Sequence, residues 1–463
     1  GTGVFEEPGT YYVVATDPST GCEAYLEQQV FEYGTQNTFA FVWYFGNNAG
    51  LDFNPLFDVD NPGPITPIDP GGAEFNGGNL NDNAPAGAAV YCDGNGDPLI
   101  YSDGMQVYNR DNTLITSDLG GNDQASQSVL IVENPADATL YYVFFTQQVP
   151  DQTGSGIYDF SYAVYDLKEL NGGGDLIRDA ANNVVTTTLF NCNSERITGN
   201  ANNVIIHEYG NNNFRVYPIT AQGIGAPIIS NVGRIHPFTN TAGQGYMKLS
   251  GDNRIAEALS EGINQYFVEL FDFDPATGAI TEVATLDLTP ETGQVYGVEF
   301  SPDNEKVFAT LRNSNGGTKI FWWDLIDNTV TPTELFDEAA MNATRVLVAE
   351  ESGIDLGALQ QGPNGTIYIA NEGAGTLASI GNPTVEPITM DPTTEFAYNL
   401  ATPDFPNIGA GATSRIGLPN FINFQGSSTP TPGITVADAC LNEQITFTVS
   451  NPLPDAVIEF YAI

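Results

Sequence analysis

The residues able to do chemistry are few and scattered. Asp93-Gly-Asn-Gly-Asp97 alternates oxygen-bearing side chains with glycine, which makes Asp93, Asn95 and Asp97 a candidate calcium loop. Calcium takes roughly six to eight oxygen ligands in a flexible cage. The EF-hand pattern fails beyond that point, because its sixth position is Pro98 and its twelfth is Gly104. The competing reading is a Gly-rich hairpin turn. Calcium is the one cofactor the sequence suggests.

Two histidines exist, His207 beside Glu208 and His236 before Pro237. The HExxH zinc pattern fails at Asn211, and both read as structural residues near strand ends. No GxSxG elbow, phosphate-binding loop, dinucleotide fingerprint or sialidase-type Asp box occurs, so no catalytic residue is assigned. Carboxylate pairs for glycoside hydrolysis stay open, because 57 acidic residues offer too many pairs to choose among. Phe321-Trp322-Trp323 is the most aromatic spot. On a strand the two tryptophans point to opposite faces, and both are expected to pack between neighbouring sheets; stacking on a glycan is the minority reading.

Thirteen basic residues face those 57 acids, for a formal net charge of -44. That field repels nucleic acid and anionic membranes, leaving cations, neutral glycans and proteins as partners. No apolar run is long enough to span a bilayer, so membrane insertion is not expected. A 41% hydrophobic content is that of a globular chain, and 49 glycines with 29 prolines suit short strands joined by tight turns.

Strand patterns dominate, as in Ala138–Thr146, Asn203–His207 and Gly365–Ala370. The best helical candidates are short, Asp252–Ser260 and Glu334–Met341. The strands recur as a unit. One strand ends in a Ser/Gly-Pro/Asp-Asn turn, a second carries small and β-branched residues, and a third ends in an aromatic followed by Asp, as at Tyr165-Asp166, Phe271-Asp272 and Trp323-Asp324. Units of roughly 40 to 50 residues with four strands each are the signature of a β-propeller, in which a ring of blades buries faces that one blade alone cannot. Six units centre near residues 100, 150, 210, 265, 315 and 370. A seventh closes if Arg415–Phe424 joins a strand near Phe41–Phe45. Seven blades are favoured, with six or eight open.

The ends stand apart. Residues 1–35 read as the end of an immunoglobulin-like or PKD-like sandwich, 36–426 as the propeller, 427–433 as a Pro/Thr linker and 434–463 as the start of another sandwich. Cys22 and Cys440 each fall where a sandwich places half of a core disulfide, so they are the disulfide candidates. Their partners lie outside this sequence, or the two ends complete one sandwich, within the chain or between copies. Cys92 and Cys192 read equally as a disulfide or as two thiols.

Trp43-Tyr-Phe-Gly-Asn-Asn-Ala-Gly-Leu-Asp-Phe53, Leu99–Asn109, Ser126–Val132, Tyr296–Pro302 and Gly417–Phe421 together resemble the propeller region of large cell-surface proteins of Bacteroidetes that carry PKD or Ig-like repeats. The resemblance runs in order from Trp43 to Phe424. It implies export by type IX secretion and display at the cell surface, and it brings no shared catalytic motif. The expected function is accordingly a non-enzymatic, adhesin-like binding or scaffolding module that recognises a surface glycan or protein. A propeller hydrolase or lyase acting on extracellular polysaccharide is the alternative, and a filament subunit assembled by self-association of its sandwich ends is another.

Overall fold

The computed structural model describes residues 9–16, 23–30, 38–58, 63–68, 86–149, 157–238, 242–262, 265–314, 316–327, 334–385, 392–400, 411–423 and 447–449. The chain divides into two compact units, one of residues 1–36 with 429–463 and one of residues 37–428. In the first, strand Gly9–Thr16 pairs antiparallel with Glu23–Val30 on one side and with Phe447–Val449 on the other.

The second unit is built of antiparallel sheets in chain order. Blade 1 is Val42–Phe45, Ala49–Asp52 and Thr66–Pro67, and blade 2 runs from Ala89–Cys92 to Leu114–Thr116. A nine-stranded sheet follows and makes blades 3 and 4. Its long strand Thr186–Asn200 first pairs with Ile157–Asp166, then with Asn203–Glu208. The break falls at Cys192, whose φ is +107°. Thus one strand is the outer edge of blade 3 and the inner strand of blade 4. Blade 5 runs from Met247–Leu249 to Ala279–Asp287, blade 6 from Gln294–Phe300 to Val346–Ser352, and blade 7 from Leu356–Gln361 to Tyr398–Asn399.

Each blade buries both faces against its neighbours. Val42 and Tyr44 pack on Tyr101 and Tyr108, joining blades 1 and 2. Ile100 meets Val143 and Phe145 between 2 and 3, and Phe144 and Phe160 meet Ile206 and Tyr217 between 3 and 4. Phe214 meets Phe271 between 4 and 5, Val268 shares a cluster with Val307 between 5 and 6, and Phe308 and Trp322 meet Ile369 between 6 and 7. The circle closes where Tyr368 of blade 7 meets Trp43 and Phe53 of blade 1, with ring centroids 5.4 and 5.6 Å apart. Seven interfaces join seven blades, so this unit is a closed β-propeller. Trp323 and Trp322 do lie on opposite faces, one in the interface toward blade 5 and one toward blade 7.

Two local expectations are corrected. Residues 254–262 form a strand, and the second candidate shortens to a helix at Glu338–Ala343 capped by Asp337. Arg254–Gly262 runs between two blade faces, so Ile255, Ala256, Ala258 and Leu259 are all buried and no period of two survives to mark a strand. Residues 415–423 are no blade strand either. They run parallel to the inner strands along the ring axis, bridging Ala88 at Pro419 and Asn200 at Asn423. Ala358 N donates to Ile416 O at 2.8 Å, and Asn420 N donates to Ala88 O at 2.7 Å. Asn420 Nδ2 also reaches Val129 O and Ile197 O. Glycine is required at 417, where a Cβ would overlap the Ala86 carbonyl, and at 357, where it would overlap that of Ile416.

Candidate functional site

The inner strands all begin at one end of the ring, and polar side chains converge there. Glu195, at the inner strand of blade 4, is held by Ser126 of blade 3: its Oε2 accepts from Ser126 N and Oγ, both at 2.8 Å. Ser126 Oγ in turn accepts from Gly245 N at 2.9 Å, and the Tyr296 hydroxyl of blade 6 stands close enough to Ser126 to feel its hydroxyl. Ser126, Glu195 and Tyr296 are buried, and burial pushes the Tyr296 phenol well up. Around them stand further polar groups, half-buried except for the buried Gln294. Arg312 forks onto Asp355, with Nε to Oδ1 at 2.7 Å, and its guanidinium lies 4.8 Å from the Tyr296 ring. Gln244 and Gln294 hydrogen-bond to each other, and Arg415 pairs with Glu372 at 2.8 Å.

Directly behind Glu195, a fully buried ionisable cluster fills the interface of blades 4 and 5. Arg196 donates Nη1 to Ala242 O at 2.9 Å, and Nη2 to Gln244 O at 2.6 Å and to Ala258 O. Its Nε sits 3.2 Å from Glu257 Oε1, but the pair is too poorly directed to make a hydrogen bond. His236 places Nε2 3.1 Å from Glu269 Oε2 and Nδ1 3.6 Å from Glu257 Oε1. His207 stacks on His236 at 3.9 Å.

Desolvation governs the charges here. Burial raises Glu257 to about 8, against the pull of Arg196, and raises Glu269 to about 7. Burial, reinforced by Arg196, drives both imidazoles well below their usual value, so the rings are neutral and can stack. Buried acids tuned toward neutrality beside neutral imidazoles are the raw material of proton transfer.

The residues singled out from sequence lie elsewhere. Asp93 Oδ1 accepts from the amides of Asn95 and Asp97, Asp93 Oδ2 faces Arg110 at 3.6 Å, and Asp93 N donates to Asp97 O. The segment is a hairpin turn of blade 2 in which Asn95 and Asp97 are exposed. Cys22 and Cys440 fall outside the described residues. Cys92 is a buried free thiol and Cys192 a half-buried one.

Sequence motifs missed the cluster because its members come from separate strands. The available signal was a charge set within an apolar strand: Glu195-Arg196 before Ile197, Glu257 between Ala256 and Ala258, and Glu269 between Val268 and Leu270. Such residues are rarely buried unless paired.

No family model matches the chain, and no curated protein matches it. Among solved structures it is similar to a putative 6-phosphogluconolactonase from Bacteroides uniformis, at 14% identity and TM-score 0.36, covering 63% of this chain and 77% of that one. A periplasmic gluconolactonase of Pseudomonas aeruginosa aligns at 13% identity and TM-score 0.37, over 59% and 73% of the two chains. The β-propeller domain of Cps50 (Swd1) from Myceliophteria thermophila aligns at 10% identity and TM-score 0.38, over 72% and 94%. The expectation of a non-enzymatic binding or scaffolding module is corrected at this point. The similar propellers include ones named as lactonases. The missing catalytic motifs behind that expectation concern local sequence, whereas this site is assembled from distant strands.

Proposed function

We propose that the chain is a hydrolytic propeller acting on a sugar-derived or polysaccharide substrate at the end of the ring where the inner strands begin. The observation that carries this reading is Glu195, fixed by two hydrogen bonds from Ser126, beside which the Tyr296 hydroxyl stands. Glu195 acts as general base on a water, and Arg312, forked on Asp355, faces the negative charge that develops on the substrate oxygen. Gln244, Gln294 and Glu372 supply polar contacts around that point. Residues 415–423 along the axis confine the substrate to the mouth.

The net charge of -44 and the resemblance to Bacteroidetes surface propellers support a place outside the cell, reached by type IX secretion. The test is a panel of sugar lactones, glycosides, and neutral and acidic polysaccharides. Wild type should hydrolyse one class, and Glu195→Gln should lower kcat by about 100-fold or more with an unchanged melting temperature. Undiminished turnover by that variant, or inertness of the wild type across the panel, overturns the reading.

A further inference from the structure

Three side chains of the buried cluster converge from three separate elements. His207 lies on strand Asn203–Glu208 of blade 4, His236 on the connection between blades 4 and 5, and Glu257 on strand Arg254–Gly262 of blade 5. One ligand atom from each lies within 4.8 Å of the other two, and all three residues are buried. We infer that His207, His236 and Glu257 hold a divalent transition-metal ion of the zinc class, which ties the connection carrying His236 to both blades.

Unmet hydrogen-bonding capacity points there first. His207 Nδ1 and both carboxylate oxygens of Glu257 are buried without a hydrogen-bond partner. Leaving such atoms unmet in a protein interior is costly, and a cation is one way to satisfy them together. His236 supplies the second sign. Its Nε2 lies 3.1 Å from Glu269 Oε2, and with that carboxylate ionised, an acceptor only, the proton sits on Nε2. The Nδ1 lone pair thereby lies between Arg196 Nη1, which donates to it at 3.3 Å, and Glu257 Oε1, 3.6 Å away. A carboxylate behind a histidine is the usual outer partner of a metal-ligating imidazole.

Distance and charge agree with this. Ligand bonds of about 2.1 Å to two atoms 3.6 Å apart subtend roughly 120°, near tetrahedral. Two such bonds at a tetrahedral angle span roughly 3.4 Å, so the widest pair, 4.8 Å apart at most, closes by up to about 1.4 Å on binding. The Arg196 guanidinium feels three carboxylates, those of Glu257, Glu195 and Glu269, while Arg234 is matched by Glu261. With the three ionised, one divalent ion brings the cluster to neutrality. Arg196 does not fill the site itself, since its Nη groups are spent on the carbonyls of Ala242, Gln244 and Ala258. Two of its contacts stand in the way, Nη1 at 3.3 Å from His236 Nδ1 and Nε at 3.2 Å from Glu257 Oε1, and the ion displaces both. Two imidazoles and one carboxylate suit zinc over calcium or magnesium. Burial makes the ion a structural tie, separate from the chemistry assigned to Glu195.

The full chain, stripped with a chelator, is titrated with Zn2+ and Co2+. One equivalent should bind, raise the melting temperature and, with Co2+, give visible d–d absorption. His207→Gln and Glu257→Gln should weaken binding about 10-fold or more, whereas Asp93→Ala should not. Because only two histidines exist, zinc-edge X-ray absorption on the wild type reads the site without any variant, and two imidazole shells are expected. No stoichiometric ion, a shell without imidazole, or unaltered affinity in folded His207→Gln overturns the inference.

Discussion

Replacing Arg196 by methionine isolates what the buried guanidinium does. Methionine keeps the unbranched aliphatic stem, so little cavity opens, and the loss is electrostatic. Three carbonyls, at Ala242, Gln244 and Ala258, each lose a charged donor. Hydrogen bonds to charged groups contribute about 1.5–3 kcal/mol apiece, and removing one partner of a buried ion pair costs about 3–5 kcal/mol. Glu257 softens the second effect because burial already raises it to about 8, and at pH 7 it can remain protonated. The carbonyls are backbone groups of sheet or loop whose second lone pairs find other partners, so the three losses do not add in full. A net destabilisation of about 3–5 kcal/mol follows. Urea unfolding followed by tryptophan fluorescence measures it, and Arg196→Lys should recover less than half, because an ammonium cannot reach three carbonyls as a planar fork does. A loss below about 1 kcal/mol would refute the reasoning, since the guanidinium would then not be the tie between blade 4 and the loop at 242–244.

Gly417→Ala places a methyl onto the Ala86 carbonyl and should prevent the axial segment from seating; limited proteolysis of a soluble variant should cut near 417 where wild type resists. Asp103 is buried, and burial raises it to about 6, against the pull of the Gln106 and Met105 amides. Its folded pKa exceeds the unfolded one, so this contribution to stability is full below pH 4 and fades as pH rises to about 6. The fall should total about 3 kcal/mol, and Asp103→Asn, which keeps the accepting oxygen, should remove that slope from chemical denaturation at pH 4 to 7.

Blades 2 to 7 were legible because each carries its own local punctuation, such as the Tyr165-Asp166 and Trp323-Asp324 strand ends. Blade 1 was half legible: Val42–Phe45 was found, but its expected partner, 415–424, lies along the axis. A segment with Gly417 and Pro419 among apolar residues reads as an edge strand, and nothing local says that its neighbours are the inner strands of blades 2, 4 and 7. Residues 254–262 misled for the opposite reason, because burial on both faces erases the alternation that marks a strand. The site was illegible for a related cause. Ser126, Glu195 and Tyr296 are separated from one another by 69 residues or more along the chain. Only closure of the ring brings blades 3, 4 and 6 to one mouth.

That closure is measured most directly by a double-mutant cycle across the seam. Trp43 of blade 1 and Tyr368 of blade 7 meet edge to face at 5.4 Å. Unfolding free energies of Trp43→Leu, Tyr368→Leu and the pair should reveal a coupling of about 0.5–1.5 kcal/mol. Strict additivity of the two substitutions would mean that blades 1 and 7 do not touch, and the closed ring would be contradicted.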